Sequence, residues 1–187
     1  MVPNEASAST PQVTAPFELH EAVRASLPDV DQDVTLLHLA LLHLGRLVES
    51  SIQTVIAPEG LEISEHSVLT ALWFAGPPYT MSPTQLSQVI LQTTSGMSKT
   101  LRRIERLGLI ERADDPNDGR SRLVVLTDAG REMSERPLRH LVDQWTTQLR
   151  GVGTGDLADI TGAVWSLVPH MDPRFSATEA SASSSSP

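Results

Sequence analysis

The sequence predicts a mainly α fold that carries one small β-hairpin. In most of the chain, segments with apolar residues at helical spacing are separated by Pro and Gly. The exception is DPNDGRSRLVVLT, residues 115–127, which joins a turn of Pro, Asn, Asp and Gly to the most β-prone run in the chain. Long helices are predicted on both sides of the segment that holds this hairpin.

Length and composition indicate one domain with a tail at each end. The chain has 187 residues and a formal net charge of −9. Residues 1–15 and 173–187 are rich in Ser, Ala, Thr and Pro with little apolar surface to bury, so we expect both tails to be disordered and the domain to span 16–172. Because the chain has no cysteine, disulfides, thiolate metal sites and thiol redox switches are excluded.

No signal peptide or membrane span is predicted. The N-terminus lacks a basic segment followed by an apolar one. The most apolar run, residues 34–48, is too short to cross a bilayer and contains His38, His43 and Arg46. We interpret it as a buried helix and expect a cytoplasmic protein without a membrane partner.

The helices at the two ends are predicted to form a dimerisation layer, residues 16–60 and 128–172. A short helix at 17–27 is followed by a long one from Asp31 or Asp33 to about Ala57. The long helix has almost no polar face, so we expect it to be buried inside the domain or against a second subunit. Thr127 is predicted to cap another long helix to about residue 150, with a kink at Pro137, before a last helix at 157–168.

The segment between them, residues 61–127, predicts two short helices joined by a tight turn. A helix beginning at Ser64 ends before Gly76. Ser82 is then predicted to cap a helix that has Pro83 at its first position, and the second helix, TSGMSKTLRRIERLGL, follows directly. This arrangement has the outline of a helix-turn-helix.

The second of these helices divides into an apolar and a basic face. Its apolar positions recur at helical spacing and are expected to face the core: Met97, Leu101, Ile104 and Gly108. Small polar residues begin the helix, and a polar stripe lies opposite the core face. Half of the chain's 14 Lys and Arg lie between residues 93 and 122, together with five acids, so this window is locally positive in an acidic protein. These features are typical of a helix that reads the DNA major groove.

The hairpin is then interpreted as a wing that reaches phosphates or the adjacent minor groove. Strands at 110–112 and 122–126 bracket the turn, and Asp118 could direct the guanidinium of Arg120 outward. An arginine is favoured by the negative potential of a narrow minor groove. The alternative is an exposed hairpin that only closes a small sheet. The candidate DNA-binding residues are Ser82, Thr84, Gln85, Thr93, Thr94, Ser95, Gly96, Ser98, Lys99, Arg102, Arg103, Asp118, Arg120 and Arg122.

From about Asp31 to His170 the chain resembles the MarR family of bacterial transcriptional regulators. The resemblance rests on RIERLGLIER, DPNDGR and LVVLTDAG, which follow one another in the family's order and spacing. It implies a homodimeric regulator, expected to be a ligand-responsive repressor, whose two winged helices bind a pseudo-palindromic double-stranded DNA operator. It also implies a ligand pocket between the dimer layer and the DNA-binding lobe.

Carried over to this chain, the family pattern places five recognition-helix positions at DNA and matches the wing's Asp-x-Arg with Asp118 and Arg120. The five positions are Ser95, Gly96, Ser98, Lys99 and Arg102. Gly119 departs from the pattern, because many members have a basic residue there. The helix at 17–27 resembles the extension of the family's urate-responsive branch, but Val23 and Ser67 stand where that branch usually has Trp and Asp.

A small-molecule effector is expected as the switch, because no thiol is present to be oxidised. Helix position and the geometry that the resemblance implies nominate four residues for the pocket wall: Leu42, Arg46, His66 and Trp73. Mostly apolar walls with a few polar groups suit an aromatic or otherwise apolar effector that carries one anionic or hydroxyl group.

Two other classes of function are less consistent with the sequence. An enzyme is not predicted, since the chain has no HExxH, GxSxG or Gly-rich phosphate loop, and His140 with Asp143 would supply only two ligands to a metal. No cofactor or metal is therefore expected. The second alternative is a winged-helix module that binds proteins and no DNA, which salt-dependent duplex binding would distinguish.

Overall fold

The computed structural model describes residues 19–116 and 118–172, with only the backbone described for 19, 20 and 118–121. The two predicted disordered tails therefore lie outside the described residues. Seven α-helices, a 3-10 turn at Ala57–Glu59 and three strands are described. The helices are α1 Leu19–Ser26, α2 Gln32–Ile56, α3 Ile63–Phe74, α4 Pro83–Val89, α5 Thr94–Arg106, α6 Asp128–Gln148 and α7 Thr154–Met171, and the strands are β1 Thr80–Met81, β2 Ile110–Asp115 and β3 Asp118–Leu126.

Side-chain caps fix the starts of four helices, and the caps at Ser82 and Thr127 confirm those that the sequence predicted. Asp31 Oδ1 accepts the N–H of Val34 at 3.0 Å in α2, and Thr93 Oγ1 accepts that of Gly96 at 3.3 Å in α5. Ser82 caps α4, and Thr127 Oγ1 accepts the N–H of Gly130 at 3.0 Å in α6. Each cap satisfies a backbone donor that would otherwise lack an intrahelical partner.

Two helix starts differ from the sequence prediction. α3 begins at Ile63 after Glu62, whose N–H donates to Glu65 Oε2 at 2.9 Å, so this capping contact replaces the predicted start at Ser64. α7 begins at Thr154, three residues before the predicted start at Leu157. The Gly-rich segment before α7 ends at Gly153, and the polar first turn of the helix has the composition of a loop.

The hairpin belongs to a three-stranded antiparallel sheet with the order β1-β3-β2. The pairing of β2 with β3 extends from Ile110–Leu126 to Asp115–Asp118, with a register shift at Asp114/Asp115. Both strands are longer than the predicted 110–112 and 122–126. The two-residue strand β1, which pairs Thr80 with Val125, was not predicted because so short a segment has no readable alternation.

The chain divides into two compact units, residues 1–135 and 136–187, next to Pro137 inside α6. In the described part of the first unit, one apolar core joins α2, α3, α4, α5 and the sheet. The prediction that Gly108 faces this core is wrong: Gly108 is exposed with φ +70° and ends α5 in the left-handed conformation that glycine adopts readily. The buried apolar residues are Ile56, Leu61, Val68, Leu69, Leu72, Leu86, Met97, Leu101, Ile104, Leu109, Ile110, Val124 and Leu126.

The long helix α2 is mostly exposed within this chain, contrary to burial inside the domain. Only its C-terminal end reaches the core, through the buried Ile56 and the partly buried Ile52. Six larger apolar residues along it are each at least 40% exposed: Val34, Leu37, Leu42, Leu44, Leu47 and Val48. Within the described residues, no helix is long and apolar enough to cross a membrane. Burial of α2 against a second subunit stays a prediction.

The close approach of α6 to Leu109 gives the first prediction. A Cβ at Gly130 would stand 2.0 Å from the carbonyl oxygen of Leu109 and 2.8 Å from Leu126 Cδ1. We expect Gly130→Ala to lower the free energy of unfolding by about 2 kcal/mol, because backbone and core must shift. The control is Gly155→Ala in the first turn of α7, where a Cβ meets nothing within 4 Å. It should be neutral or stabilising in urea denaturation, and equal midpoints for the two variants would contradict this packing.

Candidate nucleic-acid interface

Helix α5 presents one face to the core and the opposite face to solvent, as its sequence predicted. Met97, Leu101 and Ile104 are at most 2% exposed and fix the helix against the core. The opposite face is the exposed stripe of α5, formed by Ser95, Ser98, Lys99, Arg102 and Arg106. Thr93 and Thr94, at the start of the helix, are also exposed.

The polar side chains of the exposed stripe are partly ordered by their own helix. Ser98 Oγ donates to the carbonyl of Thr94 at 3.0 Å. Arg102 Nε donates to the carbonyl of Ser98 at 3.2 Å, which leaves the terminal nitrogens of its guanidinium as donors at the surface. A basic group held on a rigid helix loses less conformational freedom when it binds an anion.

Helix α4 contributes candidate residues through its N-terminal turn. Ser82 Oγ accepts the N–H of Gln85 at 3.2 Å, and Gln85 Oε1 accepts the N–H of Ser82 at 2.8 Å. This reciprocal capping box uses one oxygen of each side chain, so the Gln85 amide nitrogen can still donate to a phosphate. Thr84 and Gln85 are exposed and Ser82 is half-buried, while Leu86 is fully buried and anchors the helix.

On the wing, Arg122 contacts an acid on the neighbouring strand. Its Nε lies 3.3 Å from Asp114 Oδ1, and the two side chains are 65% and 82% exposed. An ion pair this exposed contributes little to stability, so Arg122 can exchange Asp114 for a phosphate at low cost. The predicted pairing of Asp118 with Arg120 lies outside the described side chains, and the role of both residues stays a prediction.

Arg103, a candidate DNA-binding residue outside the exposed stripe, pairs with a buried carboxylate. Its Nη1 donates to Glu65 Oε2 in α3, and its Nη2 donates to the carbonyl of Gly60 at 3.0 Å. The Glu65 side chain is 2% exposed. The hydrogen bond and the charge of Glu65 raise the pKa of Arg103. The predicted contact of Arg103 with DNA is therefore corrected: its guanidinium compensates a buried carboxylate.

The sequence did contain a signal for this ion pair. Glu65 lies three and four residues before Val68 and Leu69, which puts a carboxylate on the core face of α3. A buried carboxylate requires a partner. The sequence did not say which arginine would be that partner, because Arg103 lies 38 residues away.

The four residues nominated for an effector pocket fall into two environments. On α3, His66 is 5% exposed and Trp73 packs at the edge of the core. His66 Nε2 lies 3.4 Å from Thr70 Oγ1, whereas His66 Nδ1 has no hydrogen-bond partner among the described residues. Burial lowers the pKa of His66. On α2, Leu42 and Arg46 are exposed. The described chain thus supplies a polar atom and an aromatic ring on α3, while the α2 pair faces away from the core.

The residues that the structure describes contain no cluster of side chains that could bind a metal ion. No three His, Asp or Glu side chains between residues 19 and 116 or between 118 and 172 lie close enough to hold a metal ion. The site is instead a rigid surface of hydroxyl, ammonium and guanidinium donors. Such donors bind phosphate oxygens and base edges.

Two neighbouring arginines test the assignment of this face. We expect Arg102→Ala to weaken binding to duplex DNA and to reduce the salt slope by about 1, because one phosphate neutraliser is lost. Arg103→Ala should instead leave the buried Glu65 without its partner and lower the urea midpoint well below that of Arg102→Ala. The measurements are fluorescence anisotropy across salt concentrations and urea denaturation. An Arg103 variant that reduces the salt slope while keeping wild-type stability would contradict the assignment.

Comparison with known proteins agrees with this geometry. Residues 59–121, which cover the end of the 3-10 turn, α3, α4, α5 and most of the wing, match the model of the MarR family. The HTH-type transcriptional regulator PecS of Dickeya dadantii (strain 3937) is 28% identical over 120 residues, 64% of this chain and 72% of PecS.

Solved structures share the fold at low sequence identity. A mutant of MarR from E. coli in complex with operator DNA matches with a TM-score of 0.64 at 20% identity, covering 75% of this chain and 99% of that one. AbsC, a MarR family regulator from Streptomyces coelicolor, matches with a TM-score of 0.64 at 23% identity, covering 76% of this chain and 95% of AbsC. CouR from Rhodococcus jostii RHA1, bound to p-coumaroyl-CoA, matches with a TM-score of 0.63 at 18% identity, covering 70% of this chain and 90% of CouR. Over residues 59–121 the chain is similar to the MarR family of transcriptional regulators, a family of DNA-binding proteins that are not enzymes, and it shares the fold of solved members of that family.

Proposed function

We propose that this regulator binds a pseudo-palindromic DNA operator as a homodimer, represses transcription there, and is released by a small molecule. The observation that carries the DNA-binding part is the exposed stripe of α5, whose polar and basic side chains stand on a helix fixed by three buried apolar residues. A rigid helix with this surface fits the major groove, which admits an α-helix.

The remaining candidates are assigned supporting contacts. In this proposal the N-terminal turn of α4, with Ser82, Thr84 and Gln85, contacts the phosphate backbone. Arg120 of the wing enters the minor groove and Arg122 contacts a phosphate, which position the protein without reading bases. Base reading is left to the α5 residues Ser95, Ser98, Lys99 and Arg102. The acidic remainder of the chain limits non-specific binding by repelling phosphate.

Exposed apolar surface on two helices supports the homodimer. On α2, six larger apolar residues from Val34 to Val48 are exposed. In the second unit, α7 exposes its own apolar residues: Leu157, Ile160, Val164, Trp165 and Met171. Apolar surface of this extent is rare on soluble monomers and marks an interaction site. Residues 16–60 and 128–172 are therefore proposed as the dimerisation layer around the DNA-binding segment 61–127.

An aromatic or apolar effector is proposed as the signal for release, and the cytoplasm as the place of action. A relative of the same fold, CouR, has been seen bound to p-coumaroyl-CoA. In this chain the buried His66, whose Nδ1 has no hydrogen-bond partner in the part of the chain that the structure describes, and the half-buried Trp73 are proposed as the α3 side of the site. Leu42 and Arg46 would contribute only where the dimer brings further surface to α2.

Footprinting tests the homodimer on DNA. On a duplex selected by the protein from a random pool, we expect protection of an inverted repeat with half-site centres about ten base pairs apart, roughly 34 Å, because two recognition helices enter successive major grooves. Leu44→Glu, which places a charge on the apolar surface of α2, should give a monomer in sedimentation and lose the footprint.

The matched control is Gln53→Glu, the same acidic replacement at an exposed polar position of α2. It should leave both sedimentation and footprint unchanged. Protection of a single half-site by the wild-type protein, or an intact dimer in Leu44→Glu, would count against the proposed assembly.

Release by small molecules tests the effector site. Aromatic and apolar metabolites are titrated against the operator complex, and the concentration for half-release is measured for the wild type, Trp73→Ala and Phe74→Ala. We expect Trp73→Ala to raise that concentration about tenfold, a coupling loss of about 1.4 kcal/mol. Phe74, the adjacent aromatic residue at 66% exposure, touches the Trp73 ring edge to face, so Phe74→Ala should raise that concentration by less than Trp73→Ala does. If the wild type keeps its DNA under every compound, the effector proposal fails.

A further inference from the structure

Gln92, in the turn between α4 and α5, is bonded to both helices. Its backbone N–H donates to the carbonyl of Ser87 in α4 at 3.1 Å. Its side-chain Nε2 donates to Thr100 Oγ1 in the second turn of α5 at 3.1 Å. Thr100 is 6% exposed, so this contact lies away from solvent and from any DNA that the exposed stripe of α5 meets. One residue therefore connects the two helices of the helix-turn-helix.

The contact is possible because Gly96 has no side chain. Gly96 and Thr100 lie four residues apart on one face of α5, and Gln92 lies just before the N-cap of that helix. A Cβ on Gly96 would stand 3.2 Å from Gln92 Cγ and 3.3 Å from Gln92 Nε2, closer than side chains ordinarily pack. Gly96 thus leaves room for the Gln92 side chain to pass on its way to Thr100.

Stability alone does not explain a glutamine at this position. Its Oε1 is buried and has no hydrogen-bond partner among the described residues. A buried acceptor left unmatched is unfavourable, and an apolar side chain of the same size would avoid this penalty. What the glutamine adds is a directional bond between the turn and α5.

We propose that Gln92, Gly96 and Thr100 form a clamp that sets the position of α5 for sequence-specific DNA reading. Gln92 and Thr100 are positioning residues, and Gly96, predicted from the sequence to approach DNA, serves to admit Gln92. The inference rests on the proposed function of α5 as the DNA-reading helix. Base contacts depend on the position of each side chain within the groove, whereas phosphate contacts tolerate small displacements.

A double-mutant cycle on stability tests the clamp without DNA. In the otherwise wild-type chain, Gly96→Ala should lower the urea midpoint, because its Cβ meets Gln92. With Gln92→Ala already present, Gly96→Ala should be neutral or raise the midpoint, because alanine favours helix. Thr93 Oγ1, at 3.2 Å from the same Cβ position, is present in both backgrounds and cancels. Equal effects of Gly96→Ala in both backgrounds would overturn the clamp.

DNA binding then tests the positioning role. We expect Gln92→Met and Thr100→Val to lose about three- to tenfold in affinity for the selected duplex, the range expected for one hydrogen bond, with less than a twofold change for a scrambled duplex. Thr100→Ser keeps the hydroxyl and should retain wild-type discrimination. Equal losses on both duplexes, or no loss on either, would overturn the positioning role. If the wild type itself fails to discriminate, the proposed DNA reading fails, and the stability cycle still decides whether the clamp exists.

Discussion

The ion pair between Glu65 and Arg103 is the interaction on which the arrangement of the DNA-binding segment depends. Glu65 is 1% exposed, and its carboxylate also receives the N–H of Glu62 at the start of α3. Arg103 in turn reaches the carbonyl of Gly60. Because a buried carboxylate must keep its partner, α5 is tied both to α3 and to the turn that follows α2. A displacement of α5 would cost the ion pair as well as apolar contacts.

This constraint determines which face of α5 is available for function. Three apolar residues pack on the core, Arg103 is held at one side of the helix by Glu65, and the exposed stripe remains on the other. Gln92 adds a second link at the N-terminal end, where residues that meet base edges are expected. α5 is therefore held through Thr100 and Arg103 as well as through its apolar residues. The Arg103 link also connects it to the turn after α2, the helix whose apolar surface is proposed to dimerise. A dimer that changes its spacing would move the two α5 helices with it.

What the sequence predicted well was local. Turn residues, caps and apolar spacing are encoded within a few positions, so α2, α4, α5 and the hairpin were placed close to where they occur, and the exposed stripe of α5 was identified. The sequence did not predict contacts between residues that are distant along the chain. Arg103 was grouped with the DNA-binding arginines because its partner is distant in sequence, and β1 was missed because its pairing with β3 supplies the regularity that two residues lack. The apolar residues of α2 predicted burial, whereas the described chain leaves most of them exposed, so their burial against a second subunit stays a prediction.

The central claim is that α5 lies in the major groove, and site-directed DNA cleavage tests it. Because the chain contains no cysteine, a single introduced thiol can carry an iron chelate that cleaves nearby DNA. With the chelate on Ser95→Cys, we expect cleavage at two positions about ten base pairs apart, one in each half-site of the selected duplex. The same chelate on Ser166→Cys in α7 should give none. Cleavage from the α7 label at the half-sites, or none from the α5 label on a duplex that the labelled protein still binds, would contradict the account.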